Sequence, residues 1–199
     1  LTSQAQIKRN NRKAEILLHE AEAAAAAATL LGAPYPAEVL RKGWEIVLLN
    51  QFHDVIPGSS IHEVYEESAR QFAQVRAIGT EVRERALGAL AAHVAAESDL
   101  LVLNPLGRER SDLVELALPA GAAAWRALVD VATGAPLLTQ DVQGSDGRPA
   151  RIALATAVPA YGYRAYRWAD SAAPDPGVQR IRVVPQAIET PFLRLTLDE

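Results

Sequence analysis

Apolar side chains recur at steps of three and four residues in the first half of the chain, which is the spacing of one face of an α-helix. The first such stripe consists of Ile7, Ala14, Leu18, Ala21, Ala25 and Ala28. It predicts a helix over roughly residues 3 to 31, which Gly32 ends. A second helix is predicted to begin near Pro36, where proline fits the first turn. Its apolar face consists of Leu40, Trp44, Val47 and Leu48.

A third helical pattern follows residues 49 to 61, which read LNQFHDVIPGSSI. Ser60 and Glu63 have the spacing of a capping box, so we expect this helix to begin at Ser60. Its apolar stripe consists of Ile61, Tyr65, Phe72, Val75, Val82, Ala86, Leu90 and Val94. Three amphipathic helices joined by short connections predict a three-helix bundle.

The pattern changes near Ser98 from helical spacing to short alternating segments, which are typical of strands. Strands are predicted at residues 100–103, 113–118, 125–131, 152–158, 161–168 and 193–197. Asp146-Gly147 is predicted to form a hairpin turn, and a proline-rich linker is expected at 173–177. The predicted fold class is therefore α+β. It has a three-helix bundle over residues 1–97 and an antiparallel β-sandwich-like domain over residues 98–199, truncated at its C-terminal end.

Composition excludes several classes of protein. The 199 residues carry a formal net charge of -4, which gives no overall attraction to nucleic acid or to an anionic membrane. There is no cysteine, so a metal would have to be held by histidine and carboxylate groups. No apolar run has the length of a membrane span. We therefore expect neither a nucleic-acid partner nor a membrane partner.

Sequence motifs further limit the kinds of binding or catalytic site that we expect in this chain. The basic segment KRNNRK at residues 8–13 is followed by Glu15, Glu20 and Glu22 and has no interleaved aromatic residues. A solvated or interface-forming helix face is thus favoured over a nucleic-acid site. The chain contains no nucleophile elbow, P-loop, dinucleotide-binding or zincin motif. We therefore do not expect a self-contained hydrolase site.

The candidate chemistry lies at the bend between the second and third helices, where His53 and Asp54 are adjacent. The structural alternative is that the histidine caps the helix and the aspartate starts the turn. Imidazole is also the commonest metal ligand, and nitrogen and oxygen ligands suit zinc or a harder divalent ion. Catalytic zinc needs about three protein ligands, and His62 would join His53 only if the turn folds back. His19 and His93 are interpreted as exposed or packed residues in helix bodies.

Residues 44–60, WEIVLLNQFHDVIPGSS, resemble the middle region of the glycoside hydrolase family 38 α-mannosidases, above all their bacterial and cytosolic branch. Weaker similarities occur at residues 2–12, 102–106, 159–164 and 188–194. The resemblance implies a retaining α-mannosidase that removes terminal α-D-mannosyl residues from oligosaccharides and uses Zn²⁺ or another divalent ion, such as Co²⁺ or Mn²⁺. It implies that His53 is a metal ligand and that Asp54 hydrogen-bonds mannose hydroxyls.

The same resemblance implies that the chain is an internal fragment of a cytoplasmic enzyme. The nucleophile, the general acid and the other metal ligands are expected in a missing N-terminal catalytic domain, and a C-terminal β domain should follow. The fragment alone is then expected to be inactive. An exposed apolar face carrying Phe52, Val55 and Ile56 predicts self-association. The alternative function is a non-catalytic carbohydrate-binding or domain-packing module, in which His53 would be dispensable.

Overall fold

The computed structural model describes residues 4–94, 98–118, 127–144, 147–170, 182–184, 186–190 and 193–196. Three helices come first: α1 (Ala5–Thr29), α2 (Ala37–Asn50) and α3 (His62–Val94). The strands within these ranges are β1 (Leu100–Leu103), β2 (Arg110–Ala117), β3 (Ala127–Asp130), β4 (Thr139–Gln143), β5 (Pro149–Val158), β6 (Tyr163–Ala169), β7 (Arg182–Val184), β8 (Ala187–Glu189) and β9 (Arg194–Thr196). The predicted α+β class is confirmed. None of the described helices has the length and apolar character needed to cross a lipid bilayer.

The three helices contact one another around a core built from one face of each. All six residues predicted for the buried face of α1 are buried. The predicted stripe of α3 is buried at Tyr65, Phe72, Val75, Val82, Ala86 and Leu90. The helical period therefore located most of the core, because burial of an amphipathic face is what holds helices of this kind together.

Small residues bring α1 close to its neighbours. A Cβ atom added at Gly79 of α3 would lie 2.7 Å from Cγ of Leu17, and one added at Gly43 of α2 would lie 3.0 Å from Cδ2 of Leu18. The alanine-rich part of α1 buries Ala21, Ala24, Ala25 and Ala28. These positions hold the helices at a separation that a larger side chain would prevent.

Three predictions about the helices are wrong. Ile61, predicted in the apolar stripe of α3, precedes that helix and is 67% exposed. Leu48 was expected in the buried face of α2, yet 62% of its surface is exposed. The capping box of Ser60 and Glu63 does not form, and α3 begins at His62. The backbone N–H of Ser60 donates instead to the hydroxyl of Tyr65 at 2.6 Å, and the Ser60 hydroxyl donates to the carbonyl of Asp54. The backbone N–H of Ser60, which a capping box pairs with the glutamate side chain, is therefore engaged by Tyr65 instead.

The chain divides into two compact units, each discontinuous in sequence. The first comprises residues 1–111 and 156–166, and the second comprises residues 112–155 and 167–199. In the first unit β1 pairs antiparallel with β6, from Leu100 opposite Tyr166 to Leu103 opposite Tyr163. The buried side chain of Asn104 donates to the carbonyls of Val158 and Pro159 at 3.2 and 3.0 Å. The first boundary between the units, after residue 111, lies later in the chain than the change from helices to strands near residue 98. The domain limits 1–97 and 98–199 stay a prediction.

The second unit contains a hairpin of β4 and β5, with Thr139 opposite Ala153 and Gln143 opposite Pro149. Gly147, in the predicted hairpin turn between these strands, adopts φ +77°; Asp146 itself lies outside the described residues. A further antiparallel group has the order β7-β8-β9. The strand predicted at 193–197 pairs there with β8, which precedes it, and β9 is exposed rather than buried on one face. Residues 125–126 and the linker at 173–177 lie outside the described residues.

The candidate site at the bend after helix α2

The chain leaves α2 through a series of backbone turns that we call the HD bend, residues 51–61. The N–H of Gln51 still donates to the carbonyl of Val47 at 3.1 Å, and the N–H of Val55 donates to Phe52 at 2.9 Å. Gly58 then adopts φ +93°, a left-handed conformation that glycine reaches without steric cost. The bend therefore follows directly from the end of α2, at the position where a bend between the second and third helices was predicted.

His53 and Asp54 lie together on the exposed side of the HD bend. The side chains are 76% and 63% exposed, and Nε2 of His53 is 3.3 Å from Oδ2 of Asp54. The imidazole also lies against the ring of Phe52, with 4.3 Å between ring centroids. An imidazole and a carboxylate are thus presented to the surroundings at one point of the surface.

Asn50 and Gln51 connect the start of the HD bend to the other two helices. Asn50, only 2% exposed, uses Nδ2 to donate to the carbonyl of Ile46 at 2.9 Å and to Oε1 of Gln71 on α3 at 2.7 Å. Gln51 uses Nε2 to donate to Oδ1 of Asn11 at 3.0 Å and to Oε1 of Glu15 at 2.8 Å. Sequence patterns did not predict these contacts. The only signal was the pair of amides at the end of an apolar helix.

The partner of Asn50 belongs to a short chain of polar contacts along α3. Nε2 of Gln71 donates to Oε1 of Glu67 at 3.1 Å. A hydrogen bond from Arg70 lowers the pKa of Glu67, with a smaller contribution from the hydrogen bond of Gln71. Because its Nε2 donates to Glu67, the Gln71 amide presents its oxygen Oε1 to Asn50.

The remaining histidines do not join His53. Nε2 of His62 is 3.4 Å from Oε1 of Glu66, His19 lies 3.2 Å from the carbonyl of Pro105, and His93 is exposed. Across the part of the chain that the structure describes, no group of three or more histidine, aspartate and glutamate side chains could hold a metal ion. Since catalytic zinc takes about three protein ligands, His53 fits such a site only as one member of a larger ligand set.

Exposed apolar side chains occur at both ends of the HD bend. Leu48 and Leu49 in the last turn of α2 are 62% and 60% exposed, Phe52 is 54% exposed and Ile61 is 67% exposed. Of the predicted exposed face, Phe52 is confirmed, whereas Val55 and Ile56 are half-buried. We call Leu48, Leu49, Phe52 and Ile61 the apolar rim.

The first unit contains clefts that His53 does not line. One of about 700 Å³ is lined by residues that include Arg12, His19, Trp44 and Arg108. Another, of about 310 Å³, lies at the turn that contains Pro34 and Pro36. His53 and Asp54 line neither cleft, so the candidate chemistry of this chain is an open surface rather than an enclosed pocket.

Residues 1–90, which contain α1, α2 and the HD bend, match the family model described as "Alpha mannosidase middle domain". These residues belong to the α-mannosidase middle-domain family. The resemblance seen at residues 44–60 is thereby confirmed. The pairing of His53 and Asp54 lies within the matched segment.

Known α-mannosidases extend the similarity. The chain is 37% and 38% identical over 123 residues to Alpha-mannosidase 2C1 of Mus musculus and of Homo sapiens, covering 61% of this chain and 12% of each relative. It is also 48% identical over 71 residues to the Alpha-mannosidase of Saccharomyces cerevisiae, covering 34% of this chain and 7% of that one. The chain therefore spans about an eighth of the length of the mammalian relatives.

A solved structure shows the same fold. An alpha-mannosidase from Enterococcus faecalis V583 superimposes with a TM-score of 0.67 at 18% sequence identity, and the match covers 99% of this chain and 27% of that one. The middle-domain helices and the strands that follow them thus occur together in a solved α-mannosidase.

Proposed function

We propose that this chain is the middle segment of a metal-dependent, retaining α-mannosidase that hydrolyses terminal α-D-mannosyl residues of oligosaccharides. The observation that carries the proposal is the exposed pair of His53 and Asp54 within the segment matched to the α-mannosidase middle domain. The chain spans only 12% of its mammalian relatives, so the activity belongs to the whole protein. Its cytoplasmic location stays a prediction.

His53 would supply one ligand to the ion. A carboxylate beside an imidazole accepts the N–H of one ring nitrogen and leaves the other nitrogen free to bind a metal. Asp54, 3.3 Å from Nε2 of His53, has the position for this role. A bound Zn²⁺, Co²⁺ or Mn²⁺ would supply Lewis-acid stabilisation of the charge that develops on the sugar.

Asp54 would also contact substrate. An ionised carboxylate has about four lone-pair sites, so it can accept from a mannose hydroxyl while it orients the imidazole. Retaining hydrolysis needs two further carboxyl groups, a nucleophile and an acid. We infer that these groups and the other metal ligands come from an N-terminal catalytic domain of the same protein, and that a C-terminal β domain completes it.

The first experiment measures hydrolysis of an aryl α-mannoside by the full-length protein, stripped of metal and then supplied with zinc or cobalt. His53→Ala should lower kcat/KM by more than about 100-fold, because residues that only orient a ligand already cost about 10-fold to 100-fold. His93→Ala, which removes an exposed imidazole from α3, is the matched control and should leave turnover unchanged.

The outcomes separate the candidate functions. Metal-dependent turnover that is lost in His53→Ala supports the proposal, whereas full turnover in that variant would contradict the role of His53. Absence of turnover in the wild-type protein would favour a carbohydrate-binding or domain-packing module. The 199-residue chain alone should show no turnover, because it is expected to lack the two catalytic carboxyl groups.

A further inference from the structure

We propose that Gln51 is a positioning residue that fixes His53 and Asp54 through the contacts of its side-chain amide with Asn11 and Glu15. The inference rests on the proposed function, since it concerns where the metal-binding imidazole stands. We call Gln51, Asn11 and Glu15 the Gln51 cluster. It joins the first residue of the HD bend to the middle of α1.

The Gln51 cluster uses the full donor capacity of the glutamine. An amide NH₂ group has two donor hydrogens, and Nε2 of Gln51 donates to Oδ1 of Asn11 at 3.0 Å and to Oε1 of Glu15 at 2.8 Å. Asn11 is 9% exposed and the Glu15 side chain is 30% exposed. The bond to Glu15 has an ionised acceptor, which makes it stronger than a bond between neutral groups.

The position of His53 depends on this attachment because its own side chain is held weakly. The ring contacts Phe52 and Asp54, its neighbours along the chain, and three quarters of its surface is exposed. His53 follows Gln51 by two residues, a distance of at most about 7 Å along the backbone. A change in the contacts of Gln51 therefore acts close enough to His53 to alter where the imidazole stands.

Asn50 supplies a second attachment in a different direction. Its amide donates to Gln71 on α3, whereas the amide of Gln51 reaches α1. Two consecutive residues thus tie the end of α2 to both other helices, which fixes the rotation of the HD bend as well as its location. Such support of a metal ligand by a surrounding shell is a common requirement of precise metal sites.

The test compares Gln51→Glu with the wild type in the full-length protein. Glutamate has the shape of glutamine but removes both donor hydrogens and places a second carboxylate beside Glu15. Zinc affinity, measured by competition with a chromophoric chelator, and kcat/KM should each fall by about 10-fold to 100-fold. Both are measured below the unfolding temperature of the variant, where a purely stabilising role would leave them unchanged.

Two further variants make the result specific. Glu15→Gln added to Gln51→Glu restores a donor opposite an acceptor, so most of the zinc affinity should return. Gln74→Glu makes the same chemical change at an exposed position of α3 and should match the wild type. Should Gln51→Glu not fold, Gln51→Asn keeps an uncharged amide that is one methylene shorter, and its zinc affinity should fall over the same range.

The inference and the proposed function fail in different ways. A wild-type protein without metal-dependent hydrolysis would refute the proposed function. An active wild type whose Gln51→Glu variant binds zinc and turns over equally well would refute the positioning role alone. Loss in Gln51→Glu that Glu15→Gln does not reverse would likewise refute the Gln51 cluster as its cause.

Discussion

A methyl group at Gly79 would lie 2.7 Å from Cγ and 2.9 Å from Cδ2 of Leu17, well inside the distance at which two carbon atoms attract. Gly88 lies further along the same helix, and an added methyl group there would meet no atom within 4 Å. The two glycines share one backbone conformation but differ in their surroundings. The same substitution should therefore have opposite effects at the two positions.

Gly79→Ala is expected to lower the free energy of unfolding by about 1–3 kcal/mol, the cost of an overpacked core. Gly88→Ala should raise it by up to about 1 kcal/mol, because alanine is the better helix former. Urea denaturation of the 199-residue chain measures both values. Stabilisation by both substitutions would contradict the close contact between Gly79 and Leu17.

Residues of the core were predictable from the sequence where burial follows hydrophobicity. The stripe from Ile7 to Ala28 was predicted correctly because each of its side chains is apolar. Asn11 and Asn50 are also buried, yet a hydrophobic pattern assigns amides to the surface. Their burial depends on hydrogen-bond partners on other helices, which are far away in the sequence. Leu48 is the opposite case, an apolar residue that was predicted to be buried and is exposed. Periodicity identifies the apolar face of a helix but not how wide the buried part of that face is.

The HD bend contains one of two left-handed glycines in the connections between helices. Gly58 has φ +93° within the bend, and Gly32 has φ +87° just after α1. An L-residue in this conformation costs roughly 1–2 kcal/mol because its Cβ crowds the backbone. The two connections should therefore be similarly sensitive to substitution, although only one of them carries candidate chemistry.

Gly58→Ala and Gly32→Ala should each lower the free energy of unfolding by about 1–2 kcal/mol. In the full-length protein, Gly58→Ala should also reduce metal-dependent turnover, whereas Gly32→Ala should not. Thermal unfolding measures the change in stability, and an aryl α-mannoside assay on the same preparations measures turnover. Equal turnover in both variants would argue against the HD bend as a functional element.

The sequence located the bend but not the start of the next helix. Pro57-Gly58 is a strong turn signal, and the turn forms there. The spacing of Ser60 and Glu63 fits a capping box, but the hydroxyl of Tyr65 competes with the Glu63 side chain for the backbone N–H of Ser60. Local sequence rules do not include such competitors, because the fold of the bend creates them. The role of the His53 and Asp54 pair remains a hypothesis that came from the family resemblance rather than from geometry.

At the scale of the whole molecule, the apolar rim exposes four large apolar side chains within residues 48–61. Leu48, Leu49, Phe52 and Ile61 are each more than half exposed. Exposed apolar groups that cluster commonly mark an interaction surface.

The isolated chain is therefore expected to self-associate as its concentration rises, and Leu49→Lys should weaken this association. Leu113→Lys is the control, since Leu113 is 64% exposed but lies on β2, away from the apolar rim in sequence. Sedimentation velocity over a concentration series gives the measurement. A wild-type chain that remains monomeric at high concentration would count against the prediction.

The discontinuous first unit has a consequence for the order of events during synthesis on the ribosome. Its second segment, residues 156–166, carries the part of β6 that pairs with β1. The three helices and β1 emerge first, and most of the wait of β1 for its partner is the synthesis of the 55 residues from 112 to 166. At bacterial or eukaryotic elongation rates this interval lasts about 3–11 s. A chaperone that binds extended apolar segments would meet β1, LLVL, as an unpaired strand during that time.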